Sequence, residues 1–393
     1  MNQKAQAGYA SLHFFYWAMN AAVYSFSSAF LLPAGFSSTE IGLIMCLGNG
    51  IALIAEPFLA DYCDKSDRFS LTQIISAISI LFMAFCGMLF FLTERSTALF
   101  VFYVLTLVGH TVMHPVINEL NYRFERAGCQ MNYGFARAMG SLGYSLLSAL
   151  LGTLVEKYGT FMIPAAGEAV AALILLILAV LAKLYRETGY HRVIEHKDEG
   201  EEGSLVQFVK KYPQLLLINL GGLFLFYSAH SCGTYMLQII MNVGGDASTL
   251  GMALAISAGS EVPAMIAYRC FEKKFGVKAM MRLSALGFLI KTALFMIAKS
   301  YSMILFAALF QMVSFAVYIP ASTAASNLLT AESDAAKGQS LMPAMSSLAG
   351  LMANLSGGLL IDRFGVGSLL LICTIMSLIG TLIMFKATSR MEA

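Results

Sequence analysis

The chain has 393 residues, of which 58% are hydrophobic and 12% charged, whereas a soluble domain carries about 25% charged residues. That balance excludes a water-soluble globular protein and makes a lipid bilayer the solvent. The 25 Lys and Arg nearly cancel the 23 Asp and Glu with no basic tract, and the seven cysteines form no CxxC pair, which excludes nucleic acid as a partner, a zinc module and a disulfide framework.

A bilayer core takes about 20 apolar residues per helix. Twelve such runs follow one another, at roughly 9–33, 41–61, 70–93, 97–121, 134–156, 160–184, 213–240, 249–269, 279–298, 302–329, 339–361 and 366–387. The expected fold class is therefore an all-α membrane protein with 12 transmembrane helices. The first run is too long for a signal-peptide core and has no small-residue cleavage site, so it reads as a true span.

Lys and Arg fix the direction of insertion. With the N-terminus inside, nineteen of them fall in cytoplasmic pieces. Only Arg95, Lys157, Lys299 and Arg363 fall outside, while Arg137 and Lys291 lie within spans. Both termini are expected in the cytoplasm. The polar stretch 186–212 reads as a solvated cytoplasmic linker. It divides the chain into a six-helix bundle over 1–185 and another over 213–393.

The two halves resemble copies of each other. Gly152, Glu156 and Gly159 at the end of span five match Gly358, Asp362 and Gly365 at the end of span eleven, an offset of 206. The same offset relates Ala138, Met139, Ser141 and Leu142 to Ala344, Met345, Ser347 and Leu348, and Pro57 to Pro263. Pro115 and Pro320 differ by 205. Two six-helix units repeated in the same orientation are the plan of the major facilitator transporters.

On these features the chain resembles a major facilitator superfamily transporter, and within it the lactose permease-like oligosaccharide:proton symporters, with nucleoside:proton symporters as near relatives. The loop after span two carries a degraded form of the family's G-x-x-x-D-(R/K)-x-G signature, running from Ala60 through Asp64 and Lys65 to Arg68. Its counterpart after span eight runs from Tyr268 through Lys273 to Gly276. The resemblance implies that Asp64, Lys65, Arg68 and Lys273 belong to loops that gate conformational change.

An ionisable residue inside a membrane is costly and needs a reason. Glu119 on span four and Arg137 on span five are equidistant from Gly128 in the joining turn, so a hairpin places them at equal depth, where they can pair. In the symporter family a carboxylate and an arginine with this 18-residue separation bind the sugar, and an aromatic residue seven positions later stacks on it. The resemblance implies that Glu119 and Arg137 hold solute hydroxyls and that Tyr144 supplies the stacking face. Glu261 and Lys291 lie eight and nine residues from the cytoplasmic charges Arg269 and Arg282, about 12–14 Å deep. The resemblance gives Glu261 a role in coupling and Lys291 the place of a family arginine.

The family's span-ten histidine and glutamate are missing around Gln311 to Pro320, as are the acidic residues of span seven, where His230 is the only residue among Asp, Glu, His, Lys and Arg. Coupling therefore falls first to Glu261, with Glu56 beside Pro57 and His230 behind it. His13, Asn20 and Tyr24 on span one, and Asn219, Tyr227 and Tyr235 on span seven, are candidate cavity-lining residues, and Asn20 and His230 are candidate substrate contacts. His110 and His114 stand one turn apart without an identifiable third metal ligand, so no metal and no cofactor other than a coupling proton is expected.

The expected function is secondary active transport, not enzymatic catalysis: proton symport of a sugar or other hydroxylated solute by alternating access. Nucleoside symport and drug or metabolite export are the alternatives. A monomer is expected, without nucleic acid, in a bacterial inner membrane, which suits the absence of large outer loops.

Overall fold

The computed structural model describes residues 2–65, 69–188, 205–389 and Met391. Among these residues it contains helices and turns and no strand. Ten of its helices are long and apolar enough to cross a membrane. Arg68 and residues 189–204 of the expected linker lie outside the described residues.

The order is α1 (Asn2–Asn20), a π-helical turn (Ala21–Ser25), α2 (Ser27–Leu31), α3 (Ser38–Lys65), α4 (Leu71–Met88), α5 (Thr97–Arg126), α6 (Tyr133–Tyr158) and α7 (Met162–Glu187). Next come α8 (Leu205–Lys211), α9 (Pro213–Thr234), α10 (Met236–Met241) and α11 (Ala247–Ile297). The chain ends with α12 (Tyr301–Ala308), a 3-10 turn (Leu309–Met312), α13 (Phe315–Leu329), a 3-10 turn (Glu332–Asp334), α14 (Ala335–Phe364) and α15 (Val366–Thr388).

Four expected spans take other forms. The first is broken: the π turn and Phe26 (φ −93°, ψ 11°) separate α1 from α2. Spans eight and nine run together as the 51-residue α11, whose single non-helical residue is Gly276 at φ 77°, ψ 162°. Only glycine adopts that conformation cheaply, so the loop expected there shrinks to one residue. Span ten is interrupted by the Leu309–Met312 turn. Local signals set several helix starts. Ser70 and Gln73 form a capping box on α4, and Asn132 and Asp246 accept the Phe135 and Thr249 amides at the starts of α6 and α11. Each satisfies an amide that the helix leaves unpaired.

The chain divides into two compact units. The first comprises Met1–Glu195 with Leu250–Ala255, and the second His196–Thr249 with Ile256–Ala393. Within the first, α1 packs on α6 and α7, while α5 packs on α3 and α4. Lipid is as apolar as leucine, so helices associate through close van der Waals fit at small residues. At Gly140 and Gly143 a side chain would collide with the Trp17 ring and with the Phe14 carbonyl of α1. Within the second unit α9 packs on α14 and α15. Phe226, Phe288 and Tyr318, all nearly fully buried, meet edge to face there: Phe226 lies 5.0 Å and Phe288 6.1 Å from Tyr318.

Candidate functional site

In the first unit the candidate residues gather on α1, α5 and α6. The Arg137 guanidinium lies over the Trp17 ring, 4.2 Å from its centroid, and donates to the Ser141 hydroxyl at 3.1 Å. Trp17 meets His114 edge-on at 5.6 Å. The preceding residue, Tyr16, stacks on His110 at 4.8 Å and His114 at 5.4 Å. His13 is fully buried, edge-on to Tyr9 and Tyr133. Among the described residues no cluster of His, Cys, Asp or Glu could hold a metal ion.

The expected Glu119–Arg137 pair is not formed. Glu119 instead faces Arg123 one turn along its own helix, at 3.5 Å. Two features of the fold explain this. α6 lies against α1 and not α5, so the two helices do not form the packed hairpin that equal spacing assumed. Their depths also differ. Glu119 is seven residues, about 10 Å, from the end of α5, and Arg137 is four residues, about 6 Å, from the start of α6. Arg123 is 9% exposed. Its Nη2 donates to the Cys63 carbonyl at 2.8 Å, which ties α5 to the end of α3.

Tyr144 keeps a polar engagement as well as a ring: its hydroxyl and that of Ser25 are 2.6 Å apart. Ser25 belongs to the π turn, which other helices also hold. Tyr103 of α5 donates to the Val23 carbonyl at 2.9 Å, and Asn49 of α3 to the Tyr24 hydroxyl at 3.1 Å. Single π turns inside α-helices frequently mark functional positions. Asn20 is half-buried at the entry to this turn. Glu56 is half-buried and an electrostatic neighbour of Tyr16.

The second unit assembles a different arrangement. Glu261, on the first half of α11, is 6% exposed. Lys291, on the second half, donates to Gln311 Oε1 at 2.7 Å, and Gln311 Nε2 donates to Glu261 Oε1 at 2.9 Å. Gln311 sits on the 3-10 turn that interrupts span ten. The carboxylate and the ammonium brought together by the sequence reading are thus joined through an amide. His230 on α9 is 3.1 Å from the Ser346 hydroxyl of α14 and does not join that chain. Asn219 and Tyr235 turn to backbone carbonyls, of Leu215 and Asn354, and Tyr227 pairs with Ser356 at 2.7 Å.

The expected gating segments are mostly helical and exposed. Asp64 and Lys65 end α3, where Lys65 pairs with Asp61 at 2.7 Å. Lys273 stands on the surface of α11, which is continuous up to Gly276. Three contributors escaped the sequence reading: Trp17, Arg123 and Gln311. Trp17 is the only tryptophan, and Arg123 stands four residues from Glu119. Each of these was a visible signal.

The "MFS_1 like family" model matches residues 7–372. The chain is 24% identical over 368 residues to the maltose permease of Geobacillus stearothermophilus, covering 91% of this chain and 88% of that one. It is also 24% identical over 373 residues to the uncharacterized transporter YwbF of Bacillus subtilis (strain 168), covering 89% and 86%. Among solved structures, the nucleoside transporter NupG superposes with a TM-score of 0.77 at 15% identity over the whole of both chains. At that identity the likeness is one of fold. The chain is an integral multi-pass membrane transporter and belongs to the MFS_1 like family.

Proposed function

We propose that the protein carries a hydroxylated small solute, a sugar or oligosaccharide, together with protons by alternating access. The observation that carries this reading is Glu261. Among the described residues it is the one buried carboxylate, and it lies in a helix apolar enough to span a membrane. A carboxylate held out of water changes charge only when a path to water opens, and that is what coupling solute movement to protons requires. Intramembrane acids of this kind mark proton relays and substrate paths.

Solute binding is assigned to the first unit: Arg137, fixed on Trp17, offers the rest of its donor fork to hydroxyl oxygens, and Tyr144 lends an aromatic face. Glu119 and Asn20 of the same unit are secondary contacts, and Glu56 a secondary proton carrier. The 24% identity to a maltose permease across most of both chains supports the choice of a sugar. A twelve-span arrangement in two repeats is supported by the non-helical Gly276 within α11. It is also supported by Gly159 and Gly365, 206 residues apart, which end α6 and α14 with positive φ values of 101° and 81°. Both termini are placed in the cytoplasm and the protein in a bacterial inner membrane as a monomer.

The test is solute-induced alkalinisation of the medium around sealed cells expressing the protein, with maltose, other di- and trisaccharides and uridine as probes. Wild type is compared with Arg137→Lys and Glu261→Gln. Alkalinisation with a saccharide, lost in Glu261→Gln, is expected. Uptake without any pH change would overturn proton coupling. A response to uridine alone would replace the sugar by a nucleoside.

A further inference from the structure

We infer that Gln311 is a positioning residue that transmits the protonation state of Glu261 to Lys291 and to the break in span ten. This rests on the reading of Glu261 as the proton carrier.

The argument begins with the direction of the two hydrogen bonds. The amide oxygen of Gln311 accepts from the Lys291 ammonium at 2.7 Å, and its NH2 donates to the Glu261 carboxylate at 2.9 Å. An amide has one acceptor end and one donor end, and here each end faces the charge that suits it. Hydrogen bonds to charged groups are shorter and stronger than neutral ones. Both are strongest when Glu261 is ionised and Lys291 protonated, and the chain of three side chains is then neutral overall.

A proton taken from water onto a Glu261 oxygen changes one end only. The carboxyl becomes neutral, the Gln311 NH2 loses its charged acceptor, and the chain carries a single positive charge centred on Lys291. No covalent bond other than the new O–H is made or broken. The cation is then left with an amide oxygen and, 5.7 Å away, the face of Phe295.

The mounting of Gln311 makes the change mechanical as well as electrostatic. It sits in the Leu309–Met312 3-10 turn, whose hydrogen bonds are poorer than those of an α-helix. Just beyond it Ser314 leaves helical geometry at φ −88°, ψ −91°, and Ser284 of α11 donates to its carbonyl at 2.8 Å. At Gly287, one turn before Lys291, an added Cβ would strike the backbone at Val313 and Ser314. The interrupted helix is thus held against α11 by backbone contact and by the Gln311 amide. The other titratable group acting on Lys291 is Cys232 of α9, while His230 of the same helix faces Ser346.

The test needs no solute. Infrared difference spectra of the protein in proteoliposomes, taken across a pH titration, follow the carboxyl C=O band. Glu261→Gln identifies which part of it belongs to Glu261. In Gln311→Leu the carboxylate loses a donor that favours its charged form, so the midpoint of that band is expected to rise by about one pH unit or more. Gln311→Asn, with an amide one methylene shorter, is expected to lie between Leu and wild type. An unchanged midpoint in Gln311→Leu would overturn the inference and leave Gln311 a packing residue. A band untouched by Glu261→Gln would overturn it too. If the midpoint moves but no saccharide or uridine evokes alkalinisation, the relay stands and the transport reading fails.

Discussion

Arg137 in the first unit rests on an indole ring and a serine hydroxyl, whereas Lys291 in the second reaches a carboxylate through an amide. Each unit keeps a cation inside a helix that the bilayer surrounds, and each does so by a different route. The difference follows the chemistry of the two side chains. A guanidinium is planar and stacks on aromatic faces, while an ammonium is a compact point charge that hydrogen bonds to one acceptor at a time. The first arrangement suits a fixed hydrogen-bonding fork for a ligand. The second ties a cation to Glu261, the carboxylate whose charge changes in the proposed cycle. One cation thus rests on neutral partners and the other is linked to an ionisable one.

Glu261→Gln should have the largest effect, because it removes the titratable member of the second arrangement: uphill accumulation of solute is expected to collapse, while exchange of labelled for unlabelled solute continues. If exchange collapses equally, the division of labour between the units fails. Gly143→Ala should come next. A Cβ there would collide with the Phe14 carbonyl, and overpacking of this kind costs about 1–3 kcal/mol, to be read as a lowered Tm in detergent. One backbone contact in the second unit is looser, since a Cβ at Gly221 would find the Gly380 carbonyl at 3.2 Å. Gly221→Ala should therefore cost less than Gly143→Ala.

Trp17→Ala removes the platform beneath Arg137. A desolvated cation–π contact is worth about 2 kcal/mol, so the solute concentration for half-maximal uptake should rise about thirtyfold, with Trp17→Phe between. The same substitution should leave the Glu261 infrared band unchanged. The smallest effect is expected at Asp246, which caps α11. The Thr249 amide, and then its hydroxyl, hold the Asp246 carboxyl below the usual carboxylate range. The cap therefore stabilises at neutral pH and is lost as pH falls through the folded-state value. Asp246→Ala should cost about 1 kcal/mol at pH 7 and progressively less in acid, as measured by thermal melts against pH.

The membrane class and most of the spans were legible because apolar runs of bilayer length are unambiguous. The run over 249–298 shows the limit. Polar residues from Arg269 to Arg282 read as a loop, yet only Gly276 leaves the helix, since charged side chains at a helix end reach the interface without breaking it. The ionisable residues were equally visible, but their partners were not. Spacing put Glu119 opposite Arg137, and it could not show that α6 turns to α1 through Gly140 and Gly143. Gln311 was read as the absence of a histidine and a glutamate. A neutral amide carries no charge signal, and its place between Glu261 and Lys291 depends on a turn in span ten that the apolar pattern does not reveal.

The single-residue joint at Gly276 also bears on how the protein is handled. Connections between helices are ordinarily where tags, labels and protease sites are placed, because slack backbone tolerates insertion. Between the two arms of α11 there is no slack: the backbone is helical on both sides, and the one residue that departs from the helix has a positive φ that other amino acids resist. An epitope or fluorophore inserted there would pry apart the arms that carry Glu261 and Lys291. The exposed end of α7 near Glu187 is a safer place for a reporter.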